Sequence, residues 1–172
     1  MGGEHADAVQ QITPDLLTPD GWAPYGWLPV AESDPSDGTE RLAFSWDDVH
    51  VNLISHRRDE VREVPGGLRC EGLFRHASHT QVLMSLDATA VIVVAPADSR
   101  PGAPGEQPGL RAFTLPPLSP VVLHRGTWHW GPYPLAAEAV RLFNVQGLRY
   151  REDNESVDLK AIGASVDVLF DG

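Results

Sequence analysis

The sequence has very little thiol chemistry and no long apolar run. It contains one cysteine, Cys70, among 172 residues, which excludes an internal disulfide and any zinc site built from several thiolates. No stretch approaches the roughly 18 consecutive apolar residues of a membrane-spanning helix, and the first residues lack the basic and apolar regions of a secretory signal. We therefore expect a cytoplasmic protein with no membrane partner.

Positive charge is also scarce. The 13 Lys and Arg residues, of which Lys160 is the one lysine, are outnumbered by 24 Asp and Glu residues, and the formal net charge is −11. A surface of this sign repels the phosphates of nucleic acids and of anionic lipids. We therefore expect no nucleic-acid partner, and a small anion would need a local group of arginines to bind.

Strand-forming and turn-forming residues dominate what is present. The 16 glycines and 15 prolines favour short strands joined by turns over a helical bundle. The run VIVVA (91–95) is apolar at every position and predicts a strand buried on both faces, as in a sandwich or closed barrel. We predict an all-β fold with one short helical turn at Thr18-Pro19-Asp20 and an exposed acidic loop over residues 31–40.

The length suits one domain. Residues 1–12 show no periodicity and predict a loose N-terminal leader. Residues 13–172 would form a single barrel domain, in which the segment from about residue 151 onward is a weaker C-terminal tail of helix or strand.

Four of the seven histidines lie in two short segments, RHASHTQ (75–81) and HRGTWHW (124–130). Both segments adjoin apolar strands, where a rigid sheet can direct polar side chains into a cavity. Neutral imidazole can accept a proton, donate one or bind a divalent metal. The candidate functional histidines are His76, His79, His124 and His129.

Each segment resembles one of the two signatures of the cupins. In the first, His76 and His79 precede Gln81 and an apolar strand, and in the second His129 follows Gly126. The resemblance implies a double-stranded β-helix, or jelly-roll barrel, and it allows a divalent metal held by His76, His79, Gln81 and His129. Gln81 stands where cupins usually have a carboxylate, and glutamine binds divalent metals poorly, so no metal is favoured.

Two arginines and two tryptophans adjoin these histidines. Arg75 and Arg125 each offer a planar guanidinium that matches a carboxylate, so a small carboxylic acid is the expected ligand. The alternative for each arginine is a surface ion pair with one of the many acidic residues. Trp128 and Trp130 would line the pocket or pack in the core.

Five segments of the sequence resemble, in order, the ureidoglycolate lyase family of allantoin and purine breakdown. The resemblance spans roughly residues 13–148, and LRAF followed by HRGTWH is its most specific part. It implies a cupin-like β-barrel, usually a homodimer, that cleaves ureidoglycolate into glyoxylate and urea. The segments are LTPDGWAPYG (17–26), DGTERLAF (37–44), RHASHTQ (75–81), LRAF (110–113) and HRGTWH (124–129).

The resemblance also implies a set of pocket residues. We assign Arg125, helped by Arg75, to the substrate carboxylate and His129 to the role of base. His124 or His76 would donate a proton or contact the urea group. Gln81 and Trp128 complete the expected substrate contacts.

Three positions near this expected pocket depart from the family pattern. The family tends to have glycine where His79 stands, a second histidine where Trp130 stands, and an aspartate-arginine pair where Gln146-Gly147 stands. Two alternatives therefore accompany the lyase hypothesis. One is a metal-dependent cupin acting on another small carboxylic acid, and the other is a non-catalytic cupin that binds a small acid.

Overall fold

Short strands separated by turns make up most of the chain, as the glycine and proline content predicts. The computed structural model describes residues 9–46, 48–103 and 109–170, and over these residues it has fifteen strands and one four-residue α-helix. The strands are β1 (Gln10–Ile12), β2 (Asp15–Leu16), β3 (Gly26–Trp27), β4 (Val49–Arg57), β5 (Arg62–Val64), β6 (Gly67–Cys70), β7 (Gly72–Arg75), β8 (Gln81–Ser85), β9 (Ala90–Ala95), β10 (Arg111–Leu115), β11 (Val121–Leu123), β12 (Trp128–Pro134), β13 (Ala139–Gly147), β14 (Glu155–Asp158) and β15 (Val166–Leu169).

The strands form three sheets. A four-stranded sheet has the order β1-β15-β6-β5, a six-stranded sheet β14-β7-β12-β9-β10-β2, and a five-stranded sheet β3-β11-β8-β13-β4. Neighbouring strands are antiparallel except β1 with β15 and β2 with β10. The predicted all-β class is therefore confirmed. In the part of the chain that the structure describes, no helix has the length and apolar character needed to cross a membrane.

Strand β9 is buried on both faces, as the run VIVVA predicts. Its even-numbered residues lie in a core cluster with residues of the five-stranded sheet, and its odd-numbered residues lie in a second cluster with residues of the four-stranded sheet. The six-stranded sheet is therefore the middle layer. It faces the five-stranded sheet as the second half of a cupin-like barrel, and the four-stranded sheet covers its other side.

The predicted helical turn is the α-helix α1 (Pro19–Trp22). The Thr18 hydroxyl caps it by accepting a hydrogen bond from the Gly21 backbone N–H at 3.1 Å, and Pro19 occupies its first turn. Trp22 is fully buried, and its indole N–H donates to the Val122 carbonyl at 2.9 Å. Residues 31–40 are exposed turns, as predicted.

The N-terminal segment differs from its prediction, and the C-terminal tail, predicted as helix or strand, forms two strands. Gln10–Ile12, expected in the loose leader of residues 1–12, pairs with β15 instead, and residues 1–8 lie outside the described part. The tail after residue 151 contributes β14 to the six-stranded sheet and β15 to the four-stranded sheet. Val166 and Val168 of β15 are fully buried, because the middle sheet has a second apolar face that a two-sheet barrel would leave uncovered.

Candidate active site

A cavity of about 380 Å³ opens between the six-stranded and five-stranded sheets. Strands β7 and β12 form one wall, and strands β4, β8 and β13 form the other. The described residues that line it are Ile54, His56, Phe74, His76, Gln81, Leu83, His129, Gly131, Pro132, Tyr133, Leu142, Gln146, Tyr150, Arg151 and Asn154.

Strand alternation determines which residues of β12 reach this cavity. Trp128 and Trp130 both pack in the cluster shared with the four-stranded sheet, so His129 between them faces the opposite side. The structure thus places both tryptophans in the core, which was one of the two expectations for them. His129 lines the cavity and is only 8% exposed.

The chain crosses from one wall of the cavity to the other between β7 and β8. Strand β7 belongs to the six-stranded sheet and β8 to the five-stranded sheet. His76, directly after β7, and Gln81, the first residue of β8, therefore face the same cavity from opposite walls. His79 lies within this crossing and forms an isolated antiparallel bridge with Phe44.

The crossing brings three imidazoles and one carboxylate together. The His76 and His79 rings are stacked with centroids 4.7 Å apart, and the His129 ring centroid is 5.9 Å from that of His76. Asp153 approaches from the segment before β14, and its Oδ2 atom lies 3.2 Å from Nδ1 of His79. The same carboxylate oxygen accepts the Ser78 backbone N–H at 2.8 Å, so Asp153 also holds the crossing in place.

His76 and His129 are each oriented by a backbone carbonyl. Nδ1 of His129 donates to the Thr127 carbonyl at 3.2 Å, and Nδ1 of His76 donates to the Asp153 carbonyl at 3.0 Å. In the neutral ring this leaves Nε2 unprotonated. Burial, followed by the charge of His76, lowers the pKa of His129 to about 4. Burial also lowers the pKa of His76. Both rings are therefore neutral proton acceptors at pH 7.

His79 is the most enclosed of the three rings, with 2% exposure. Burial, followed by the charge of His76, lowers its pKa to about 4. Although Asp153 is close, neither ring nitrogen has a partner in hydrogen-bond geometry. A Cβ atom added to Gly147 would lie 2.9 Å from Nδ1 of His79. The ring thus occupies space beside Gly147 that a side chain there would need.

A band of amide side chains crosses the five-stranded sheet next to the histidines. The Gln81 amide N–H group donates to Asn144 Oδ1 at 2.8 Å and to Gln146 Oε1 at 3.3 Å. The Asn144 amide donates to Asn52 Oδ1 at 2.7 Å. Oε1 of Gln81 is buried without a hydrogen-bond partner. The band therefore retains an acceptor for a polar ligand.

Arg75 and Trp128, expected to contact substrate, lie on the other side of the six-stranded sheet. The Arg75 guanidinium pairs with Glu155 at 2.7 Å and lies 4.4 Å from the centre of the Trp128 ring. Both residues line a separate surface pocket. Placement of Arg75 and Trp128 in the cavity was therefore wrong, because each is a strand neighbour of a cavity histidine and points to the opposite face.

His124 and Arg125 also lie away from the cavity. The His124 ring packs against Trp27, with centroids 5.6 Å apart, in another surface cleft. Arg125 is exposed in the turn before Gly126, where a positive φ of 77° reverses the chain. This turn separates the two ends of HRGTWH, so His129 enters the cavity while His124 and Arg125 do not.

Several residues of the cavity and of the histidine cluster carried no recognisable signal in the sequence. Asp153 and Arg151 follow the last barrel strand in a polar stretch without periodicity. His56 lines the opposite end of the cavity and packs edge-on against Tyr133, with centroids 5.0 Å apart. Alternation within β4 and β13 could have placed His56 and Gln146 on the inner face once the barrel was assumed. Which lining residues act on a substrate stays a prediction.

A sequence model of a known protein family matches the chain over the segments that form this site. The model described as "Ureidoglycolate lyase" matches residues 38–166, well over half of the chain. The chain belongs to the ureidoglycolate lyase family. The match covers the crossing with His76 and His79, both ends of HRGTWH, and Asp153, so all three imidazoles of the cluster lie within the matched residues.

Comparisons with curated proteins and with solved structures do not identify a reaction for this chain. No curated protein matches the chain at a significant level. A solved structure of a dTDP sugar isomerase from Desulfovibrio desulfuricans G20 is 13% identical, with a TM-score of 0.49, over 82% of this chain and 90% of that chain. A likeness at this level says nothing about a shared reaction.

Proposed function

We propose that this member of the ureidoglycolate lyase family cleaves ureidoglycolate to glyoxylate and urea. The observation that carries the proposal is the His129 ring, which is held by the Thr127 carbonyl with its basic Nε2 free in a cavity between two sheets. Ureidoglycolate has a hydroxyl, a carboxylate and a urea nitrogen on one carbon. Its cleavage requires one proton to leave the hydroxyl and one to reach the departing nitrogen.

One imidazole can perform both proton transfers. Nε2 of His129 accepts the hydroxyl proton as the carbon–oxygen double bond forms and the carbon–nitrogen bond breaks. The proton then passes from Nε2 to the urea nitrogen, which returns His129 to its neutral form. Atoms and charge balance without any further reactant. Burial favours the neutral ring, which keeps His129 ready to accept a proton at pH 7.

The rest of the cavity suits the two ends of this substrate. The free Oε1 of Gln81 and the neighbouring amide band offer an acceptor and donors that match a urea group. Arg151 is the one permanently cationic side chain among the described lining residues, and in this proposal it takes the carboxylate role first assigned to Arg125 and Arg75. His76 contacts the substrate beside His129.

The experiment supplies racemic ureidoglycolate and follows glyoxylate and urea by proton and carbon NMR. His129→Gln should lower kcat/KM by at least a hundredfold, because it removes the proton acceptor. His124→Gln is the matched control, since it removes an imidazole from the same HRGTWHW segment but outside the cavity, and its kcat/KM should stay within twofold.

Three results would count against the proposal. If ammonia forms instead of urea, the reaction is hydrolysis of the urea group. If a small acid such as glyoxylate binds without any turnover of ureidoglycolate, the barrel is a binding protein. If His129→Gln retains full activity, the reaction does not use this cavity as described.

The proposed reaction would contribute to the breakdown of purine nitrogen through allantoin, in the cytoplasm. Cysteine chemistry has no part in it. Burial raises the pKa of Cys70 to about 12, which keeps this thiol protonated and unreactive.

A further inference from the structure

Two members of the histidine cluster have no task in the proton transfer by His129. His76 lines the cavity, whereas His79, stacked against it, does not. Asp153, from the C-terminal segment, contacts His79 at 3.2 Å. One ligand atom from each of His76, His79 and Asp153 can be chosen so that all three lie within 4.8 Å of one another. For all three atoms to contact one ion at about 2.0–2.2 Å, they must move closer together, and the stacked His76 and His79 rings must rotate so that their nitrogens converge.

The His79 ring provides a second, independent observation. Its side chain is 1% exposed, and neither of its nitrogens has a partner in hydrogen-bond geometry. A buried polar group without a partner is unfavourable. Nδ1 of His79 faces Oδ2 of Asp153 at 3.2 Å, and Nε2 has no hydrogen-bond partner among the described residues, so a ligand explains the position of this ring better than packing alone.

The donors also suit a particular class of ligand. Two neutral imidazoles and one carboxylate form a typical site for zinc and related first-row divalent ions. Their net charge of −1 favours a cation. A second carboxylate nearby, Asp48, is already paired with Arg149 at 2.9 Å. Gln81, part of the cupin-based set, instead directs its amide N–H group to Asn144 and Gln146.

We propose that His76, His79 and Asp153 bind one divalent metal ion, with zinc as the reference ion. This set keeps two residues of the cupin-type set and replaces Gln81 and His129 with Asp153. His129 stays free for proton transfer, because it does not belong to the group of ligand atoms that meets this spacing. The ion would add positive charge beside a cavity in which Arg151 is the one permanent cation among the described lining residues. The proposal depends on the cluster geometry and not on the proposed reaction.

The test is zinc binding to the full chain without substrate. The protein is treated with a chelator, dialysed and titrated with zinc in competition with a chromophoric chelator. We expect one ion per chain. His79→Gln and Asp153→Asn should each weaken zinc binding at least tenfold. His124→Gln and Glu152→Gln are matched controls, because they alter an imidazole and a carboxylate outside the cluster, and they should bind zinc within twofold of the unmodified chain.

A second measurement uses the unmodified chain and so remains decisive if a variant does not fold. Cobalt(II) replaces zinc, and proton NMR records the shifted N–H signals of imidazoles bound to the paramagnetic ion. Two such signals are expected. The proposal is overturned if zinc does not bind, if His79→Gln and Asp153→Asn bind it as the controls do, or if cobalt shows no imidazole signal. None of these results requires ureidoglycolate, so failure of the metal site is distinguishable from failure of the lyase proposal.

Discussion

His79 and His129 are held neutral by burial, and this links folding to pH. Each has a pKa of about 4 in the folded protein against roughly 6.5 in an unfolded chain. As pH falls below 6.5, the unfolded state binds protons that the folded state does not, so the free energy of unfolding decreases. The decrease continues to about pH 4 and amounts to roughly 3 kcal/mol at most for each ring. Urea denaturation of the metal-free protein from pH 7.5 to 4.5 measures it.

The variant His79→Gln isolates one of these contributions. Its free energy of unfolding should fall less steeply between pH 6.5 and 4.5 than that of the unmodified protein, because one depressed group is absent. Equal slopes for His79→Gln and the unmodified protein would show that the His79 pKa is not depressed.

Gly147 and His79 fit against each other, and we predict that their substitutions are not additive. Gly147→Ala places a Cβ atom 2.9 Å from Nδ1 of His79, and the ring has little room to move between Phe44 and His76. The expected cost is about 1–3 kcal/mol in thermal or urea unfolding. In the double variant with His79→Gly, the cost of Gly147→Ala should nearly vanish, since the obstructing ring is gone.

The same pair coincides with two departures that the family resemblance implies, since glycine is expected at position 79 and arginine at position 147. This chain has His79 and Gly147 instead. We infer that the His79 ring takes space that a side chain at position 147 would fill. A double-mutant cycle with no coupling between the two substitutions would contradict this interpretation.

Single residues also show what the sequence could and could not predict. His76 and His129 were correctly placed near one another, because each adjoins an apolar strand. Arg75 and Trp128 were misplaced although alternation along a strand already separates each from its neighbouring histidine. The contact of Asp153 with His79 could not have been predicted, since Asp153 lies 74 positions later in the sequence and no periodic pattern surrounds it.

At the scale of elements, the C-terminal strands β14 and β15 contribute to the stability of the sheets that they join. Substitution of a buried residue between them tests this contribution. Leu159, between β14 and β15, is fully buried in the core cluster of the four-stranded sheet. Leu159→Ala should lower the free energy of unfolding by about 2–5 kcal/mol. Ile162→Ala, three residues later and 51% exposed, should change it by less than about 0.5 kcal/mol. Equal small effects of the two substitutions would contradict this structural role of the tail.

Elements differ in how strongly the sequence specifies them. The continuous apolar run of β9 predicts burial on both faces without reference to any partner, and the structure confirms it. Strands β1, β14 and β15 are three or four residues long and have no comparable run. Their existence depends on pairing with distant parts of the chain, β1 with β15, β15 with β6 and β14 with β7, which local sequence patterns do not encode.

At the scale of the whole molecule, we predict a homodimer, as the family resemblance implies. The nine-residue strand β4 is an edge of the five-stranded sheet. Its outer face exposes Val49, Val51 and Leu53 by 49%, 60% and 64%. An apolar edge strand of this length favours pairing with another chain, and a second copy offers the same strand about a two-fold axis.

Light scattering coupled to size-exclusion chromatography measures the oligomeric state. Leu53→Lys should convert the dimer to monomer, whereas Ile162→Lys, which changes an exposed residue of the tail, should leave it dimeric. A monomeric unmodified chain would make the homodimer expectation wrong. A dimer that survives Leu53→Lys would place the contact on another surface.

The crossing between β7 and β8 has a consequence for how small molecules reach the cavity. Because the two facing sheets are joined covalently at residues 76–80, and Asp153 anchors that junction through Ser78, the walls cannot separate there. The segment of residues 148–154 joins β13 of the five-stranded sheet to β14 of the six-stranded sheet, so the same two walls are linked a second time. We therefore expect reactants and products to enter past Tyr150, Arg151 and Asn154 by movement of these side chains, without separation of the two sheets.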